Sequence, residues 1–185
     1  MAPPVPTELQ IRKFRKRFRV LDSDGNGVLD VSDYETVAQR IRLRFHLREA
    51  SPEADRITAV YRGLFARMHK YGDLNNDHVI DENEFVTTTT WSLLGRPDGF
   101  DRAILPVLHS IGEVCGLRSD TVLTDRLFED LLAAEGVTPP DILVAHAHLL
   151  DASASFTFAD LVQANRDFYC SADPAGAGNW LLGDF

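Results

Sequence analysis

Methionine and cysteine are scarce in this chain of 185 residues, with two of each. Cys115 and Cys170 are too few and too far apart for a disulfide framework or a zinc site, and free thiols fit a cytoplasmic protein. Met1 and Met68 supply little for the methionine-rich groove that adaptable helix-binding proteins expose. Positive charge is also in deficit: 19 lysines and arginines face 28 acids, for a net charge of −9, which excludes nucleic acid as the default partner. No apolar run reaches transmembrane length and none follows a basic segment at the N-terminus, so neither membrane insertion nor a signal peptide is expected. Ser/His/Asp arrangements, glycine-rich phosphate loops and nucleophile elbows are missing too. A non-enzyme is therefore expected, with no catalytic and no organic cofactor-binding residues. What remains is an ordinary globular composition, 44% hydrophobic and 25% charged, in a chain long enough to bury a core.

The acids are not scattered. In the segment 22–33 oxygen-bearing side chains stand at the first, third, fifth, ninth and twelfth places (Asp22, Asp24, Asn26, Asp30, Asp33), with Gly27 at the sixth. Adding the backbone carbonyl of Val28 at the seventh place gives a loop that wraps a hard cation such as Ca²⁺ in oxygen. Glycine suits the sixth place because the chain turns sharply there at positive φ. The segment 73–84 repeats the pattern with Asp73, Asn75, Asp77, Val79, Asp81 and Glu84. Both resemble the EF-hand calcium loop. The first departs from it in Asp33, where the pattern prefers glutamate, and the second in His78, where it prefers glycine. His78 reads as a turn residue tolerated at positive φ rather than as a zinc ligand, since no second histidine sits at coordinating spacing. Asp22, Asp24, Asp30, Asp33, Asp73, Asp77, Asp81 and Glu84 account for eight of the 28 acids.

The flanks read as helices. Residues 1–7 form a proline-rich lead, after which Thr7 and Gln10 stand in capping-box relation. Ile11, Phe14, Phe18 and Leu21 then fall on one helical face, interleaved with Arg12, Lys13, Arg15, Lys16, Arg17 and Arg19. Such a basic amphipathic helix reads either as a membrane-surface or partner-binding helix or as the helix entering the first loop, its apolar stripe in the core and its cations near the acidic loop. Tyr34, Val37, Ala38 and Ile41 continue a helical face to about Leu47. Ser51 and Pro52 start another helix, which carries Ile57, Val60, Tyr61, Leu64, Phe65 and Met68 to the second loop.

A couplet recurs: an aliphatic at the eighth loop place followed five residues later by an aromatic, Leu29 with Tyr34 and Ile80 with Phe85. Leu123 with Phe128 and Phe156 with Leu161 echo it, so the chain reads as four helix–loop–helix units. The eighth residues are expected to form short strands that pair the loops. The third loop, 116–127, offers Gly116, Arg118, Asp120 and Leu127 at the first, third, fifth and twelfth places. An arginine there, with leucine closing, makes cation binding implausible. The fourth, near 149–160, offers Asp151, Ser153, Ser155 and Asp160, too little charge for Ca²⁺. His146 and His148, two apart, point different ways on a helix and do not share a metal. The tail ends apolar in Trp180, Leu181, Leu182 and Phe185, either packed on the body or available to a partner.

The four-unit layout, the first loop closed by aspartate, and the ending Phe168-Tyr169, Asp173-Pro174, Gly178-Asn179-Trp180-Leu181 resemble the calerythrin and sarcoplasmic calcium-binding protein group of bacterial type. The resemblance implies an all-α fold of two EF-hand pairs, 8–94 and 95–170, with the tail 171–185 packed on the body. It also implies an intracellular calcium buffer whose relatives usually keep an ion in the second half as well. From the loops of this chain only two Ca²⁺ are expected, with Mg²⁺ as a competitor especially at 22–33 where the shorter Asp33 closes the ring, in a cytoplasmic monomer. The alternative is a calcium sensor that regulates a partner protein through the basic first helix or the ion-free second half.

Overall fold

The computed structural model describes residues 4–151 and 155–185, so Met1 and Ser153 lie outside the described residues. Nine α-helices are found among them. They are α1 (Glu8–Leu21), α2 (Val31–Arg44), α3 (Pro52–Gly72), α4 (Glu82–Leu94), α5 (Gly99–Ala103), α6 (Leu105–Cys115), α7 (Asp125–Ala134), α8 (Pro139–Ala145) and α9 (Phe158–Cys170). Two short strands, β1 (Val28–Leu29) and β2 (Ile80–Asp81), complete the regular structure with a π-turn at His146–Leu150 and a 3₁₀ turn at Ala177–Trp180.

Local chemistry sets most boundaries. Thr7 Oγ1 accepts from the Gln10 N–H at 3.3 Å while Gln10 Oε1 accepts from the Thr7 N–H at 2.9 Å, a closed capping box at the start of α1. Ser51 Oγ accepts from the Ala54 N–H at 3.2 Å, and Pro52 fills the first helical place of α3. Asp30 and Asp81 cap α2 and α4 by accepting backbone N–H groups, so one carboxylate of each loop also starts the exiting helix. α2 stops at Arg44, short of Leu47, because the chain turns out of the helix at Phe45 and His46 adopts φ +51°.

β1 and β2 pair antiparallel, Leu29 opposite Ile80 and Val28 opposite Asp81. Leu29 and Ile80 are both fully buried, each contributing about 2 kcal/mol of apolar burial at the seam between the loops. The second half repeats the arrangement in miniature: the Leu123 N–H donates to the Phe156 carbonyl at 2.8 Å, beside a Val122–Thr157 bridge. Around these seams α1 packs on α4 and α9, α2 on α3 and α7, and α3 on α6, so the core runs through both halves without interruption. Phe18 meets Phe85 edge-to-face at 5.7 Å, joining the helix before the first loop to the helix after the second.

The cations of α1 turn mostly toward the C-terminal part of the chain rather than toward the acidic loop. Lys13, fully buried, donates to the carbonyls of Ser171 (2.9 Å) and Asp167 (3.3 Å), and its ammonium lies 5.8 Å from the Phe168 ring centroid. Lys16 reaches the Asp184 carbonyl at 2.9 Å and Asp141 at 2.8 Å. Arg17 pairs with Glu135 at 2.7 Å, and Arg12 lies 5.3 Å from the Phe185 ring centroid while donating to that residue's carbonyl. Arg15 alone of this set faces a loop residue, Glu82, at 3.1 Å. Leu181 and Leu182 are buried against the body, and Trp180 stacks on His148 with ring centroids 4.1 Å apart. A cleft of about 890 Å³ opens between α3, α4 and α5, with Arg17, Tyr34, Met68, Thr88, Trp91 and Tyr169 among its lining residues. No helix among the described residues is long and apolar enough to cross a membrane.

Candidate metal centres

The first loop is held open by its own backbone. Asp22 Oδ1 accepts from the N–H groups of Gly25 (3.0 Å) and Asn26 (3.1 Å), and its Oδ2 accepts from Gly27 (3.0 Å). Asp24 Oδ1 accepts from the Asn26 N–H at 3.1 Å, and Asn26 Oδ1 from the Val28 N–H at 2.9 Å. Gly25 and Gly27 sit at φ +72° and +85°, which lets successive N–H groups turn inward without a Cβ penalty. Asp33, only 2% exposed, closes the ring: Oδ1 accepts from the Ser23 N–H at 2.9 Å and Oδ2 from the Asp30 N–H at 3.0 Å.

Oxygens of Asp22, Asp24 and Asp33 converge to within 4.8 Å of one another. Burial pushes the Asp33 carboxyl above its ordinary range. Hydrogen bonds from Asp30 and Ser23 oppose that shift, while the neighbouring Asp30 and Asp24 charges add to it. A buried carboxylate facing like charges is stabilised by a divalent cation, so these residues fit one. Asp30 differs. Its Oδ1 is committed to the Ser32 hydroxyl and N–H, both at 2.6 Å, and its carboxyl is held below the usual range first by that hydroxyl. A ninth-place side chain of this kind meets a cation through water.

The second loop is built on the same plan with different parts. Glu84, 6% exposed, accepts from the Leu74 N–H at 2.9 Å and the Asp81 N–H at 3.0 Å, the same two donors that Asp33 takes from Ser23 and Asp30. Asp73 Oδ1 accepts from the Asp77 N–H at 3.2 Å, Asn75 Oδ1 from the same N–H at 2.8 Å, and Asp77 Oδ1 from the Val79 N–H at 3.1 Å. With an amide at its third place, this loop shows no equally close set of three carboxylates among the described residues. His78 makes the sixth-place turn at φ +70°, close to the glycine geometry of the first loop, with Asn76 at φ +60° beside it.

Sequence reasoning missed one group here. His69, one helical turn before Asp73, puts Nε2 3.3 Å from Asp73 Oδ2, and its ring stacks on His78 with centroids 5.8 Å apart. A second histidine therefore does stand beside His78, contrary to the expectation from spacing. It arrives from the entering helix, and the loop folds back to meet it. The signal lay in the offset of four residues from a loop's first aspartate, where the first loop has Phe18.

The other two loops present different chemistry. Arg118 pairs with Asp120 at 3.2 Å, Gly116 turns at φ +70°, and Leu127 lies in the first turn of α7, its N–H donating to Thr124 Oγ1 at 3.3 Å. In the fourth, Asp160 Oδ2 accepts from the Thr157 N–H at 2.8 Å, forming a capping box for α9. Asp151 faces His146 Nδ1 at 3.4 Å. His146 also faces Asp125, while His148 points away to Trp180.

Helix–loop–helix units whose loops pair through a short antiparallel seam define an EF-hand protein. No protein-family model matches the chain. Calerythrin of Saccharopolyspora erythraea is 25% identical over 165 residues, covering 88% of this chain and 93% of calerythrin. A Streptomyces coelicolor calcium-binding protein, studied for prokaryotic calcium-mediated regulation, is 25% identical with a TM-score of 0.66, covering 89% of this chain and 99% of its own. The sarcoplasmic calcium-binding protein of amphioxus shares the fold at TM-score 0.64 and 18% identity, over 98% of this chain and 100% of that one. The chain is a calcium-binding EF-hand protein like calerythrin, with the fold of the sarcoplasmic calcium-binding proteins.

Proposed function

We propose that this protein binds two Ca²⁺ ions, one in each of the loops 22–33 and 73–84, and serves as a calcium buffer. The observation that carries this reading is the matched closure of the two loops. Asp33 and Glu84 are both buried and both fixed by the corresponding pair of backbone donors, so the two loops close in the same way. The ligands are Asp22, Asp24, Asn26, the Val28 carbonyl and Asp33 in the first loop, with Asp30 acting through water. In the second they are Asp73, Asn75, Asp77, the Val79 carbonyl and Glu84, with Asp81 in the corresponding outer place. The buffer role over a sensor role is supported by α1, whose Lys13, Lys16 and Arg17 are engaged within the molecule, and by a tail whose leucines are covered. Calorimetric titration of the calcium-free full chain tests the reading. Two ions per chain are expected, with Asp33→Asn and Glu84→Gln each removing one. A third ion, or a variant that loses both, would overturn it.

A second reading rests on the cleft of about 890 Å³, which is in the size range that holds organic ligands. Proteins of the same fold include a coelenterazine-binding protein of Renilla muelleri (TM-score 0.66) and okadaic acid binding protein 2.1 (TM-score 0.69), both 19% identical to this chain. In this reading the chain carries an apolar aromatic molecule between α3 and α4. Trp91 lines the cleft and is 48% exposed, so it reports occupancy directly. Quenching of tryptophan emission by such a molecule, lost when Thr88→Phe narrows the cleft without adding a tryptophan, supports the carrier reading, and an unchanged spectrum removes it.

A further inference from the structure

We propose that His69, Asp73 and His78 form a site for a divalent transition-metal ion of the zinc and copper class, sharing Asp73 with the second calcium loop. Ligand atoms from the three side chains lie within 4.8 Å of one another. On a tetrahedral ion with bonds of about 2.0 Å they would stand roughly 3.3 Å apart, so the ligand atoms must draw in by at most about 1.5 Å, the exposed His78 ring turning toward Asp73 and His69. Two imidazole nitrogens and a carboxylate suit zinc, copper or nickel, whereas Ca²⁺ takes oxygen ligands only. The site is thus chemically distinct from the loop it adjoins.

The two oxygens of Asp73 face different groups. Oδ1 accepts from the Asp77 N–H at 3.2 Å, within the loop. Oδ2 accepts from the His78 N–H at 3.1 Å and stands 3.3 Å from His69 Nε2. His69 is held against Phe65, ring centroids 5.6 Å apart, which limits the directions its nitrogens can take. His78 is exposed and His69 partly so, leaving an entry path and a position for water as a fourth ligand.

The first loop is an internal control. The residues at the places of His69 and His78 are Phe18, packed on Phe85, and Gly27. The second loop therefore replaces an apolar core residue and a turn glycine with two imidazoles that meet. His78 does so in a left-handed backbone conformation that glycine would adopt without strain.

Zinc chloride is titrated into the calcium-free full chain by calorimetry, with cobalt as a spectroscopic stand-in. One zinc per chain is expected. His69→Gln together with His78→Gly should weaken it about a hundredfold or more and abolish the visible cobalt bands, while Ca²⁺ binding at the first loop, titrated separately without zinc, is unchanged. His78→Gly restores the residue found at Gly27, so the loop keeps its backbone. Saturating Ca²⁺ should lower the zinc affinity about tenfold or more, because two dications on one carboxylate repel. Absence of zinc binding, or zinc binding that survives the double substitution, would overturn the proposal. The titration without Ca²⁺ is independent of the two-calcium reading, whereas the competition step rests on it: indifference to Ca²⁺ counts against the zinc site where the Glu84→Gln titration shows calcium at the second loop, and against the calcium reading where it does not.

Discussion

Glu135→Gln is the substitution whose effect the structure specifies most fully. Glu135 follows the last turn of α7 and joins three elements: one carboxylate oxygen pairs with Arg17 of α1 at 2.7 Å, and the other accepts from the Tyr61 hydroxyl of α3. The Arg17 and Glu135 side chains are only 12% and 19% exposed. Burial works against the Arg17 charge, but the fields of Tyr169, Glu135 and Tyr61 more than reverse that, leaving its affinity for protons above the ordinary value. Burial first, then the Glu135 charge, hold the Tyr61 phenol protonated well past its usual range. Glutamine keeps the shape and an acceptor oxygen but strands the guanidinium without an anion. Breaking one side of a buried pair costs about 3–5 kcal/mol. The residual exposure places this one near 3 kcal/mol, equivalent to a melting temperature lower by roughly 6–12 °C for a chain of this size. Urea denaturation in chelator and in Ca²⁺ would measure it, with equal slopes required of both proteins. In a Tyr61→Phe background, where no buried hydroxyl is left without its acceptor, Arg17→Met with Glu135→Leu should recover stability to within about 1 kcal/mol of the Tyr61→Phe parent, since apolar replacement of a whole buried pair is near neutral. A change below about 0.5 kcal/mol for Glu135→Gln, or a double variant no better than the single, would show that water screens the pair.

Burial lowers the Lys13 ammonium from 10.5 to about 8, so between those values the unfolded chain binds more protons than the folded one. Stability should therefore rise with pH across that window, by at most about 3 kcal/mol, and the rise should disappear in Lys13→Met when the two are compared by denaturation at pH 7 and pH 10. Mg²⁺ competition should be stronger at the first loop than at the second, because Asp33 has less reach than Glu84 for bidentate contact. Titrating Glu84→Gln and Asp33→Asn separately with Ca²⁺ in excess Mg²⁺ measures this, and equal competition would refute it. Removing residues 180–185 should uncover the apolar surface beneath Leu181 and Leu182 and raise binding of an apolar fluorescent dye, whereas an unchanged signal would show that the tail covers nothing.

The sequence carried those parts of the fold that rest on local chemistry. Thr7 with Gln10 and Ser51 with Pro52 state their helix starts directly, and Leu29 and Ile80 at matched loop places become the two central partners of the β seam. The backbone arrangement of both loops follows from the spacing of their aspartates, with glycines at positive φ in the first loop and Asn76 and His78 in those places in the second. Less legible was everything that depends on how distant elements meet. Lys13 sits among arginines on a basic helix, and nothing local separates it from Lys16, yet it is fully buried because α9 ends against that face. Arg17 gives no sign of a partner 118 residues away. His69 and His78 look unrelated until the loop folds back over the end of α3. The shortening of α2 at Arg44 likewise follows from a left-handed turn at His46, for which helical periodicity offers no warning.

The caps of the second half bear on how quickly calcium can be taken up. Thr124 and Thr157 hydroxyls, the Asp160 carboxylate and the Leu123–Phe156 hydrogen bond hold that half together by protein groups alone. It is fastened to α1 through Lys13 and to both α1 and α3 through Glu135. A chain whose loading required a helix pair to fold would respond no faster than that folding step. With the second half fastened by such contacts, a single fast phase of calcium uptake is expected, and a slow phase on stopped-flow mixing with Ca²⁺ would show that a helix pair must fold first.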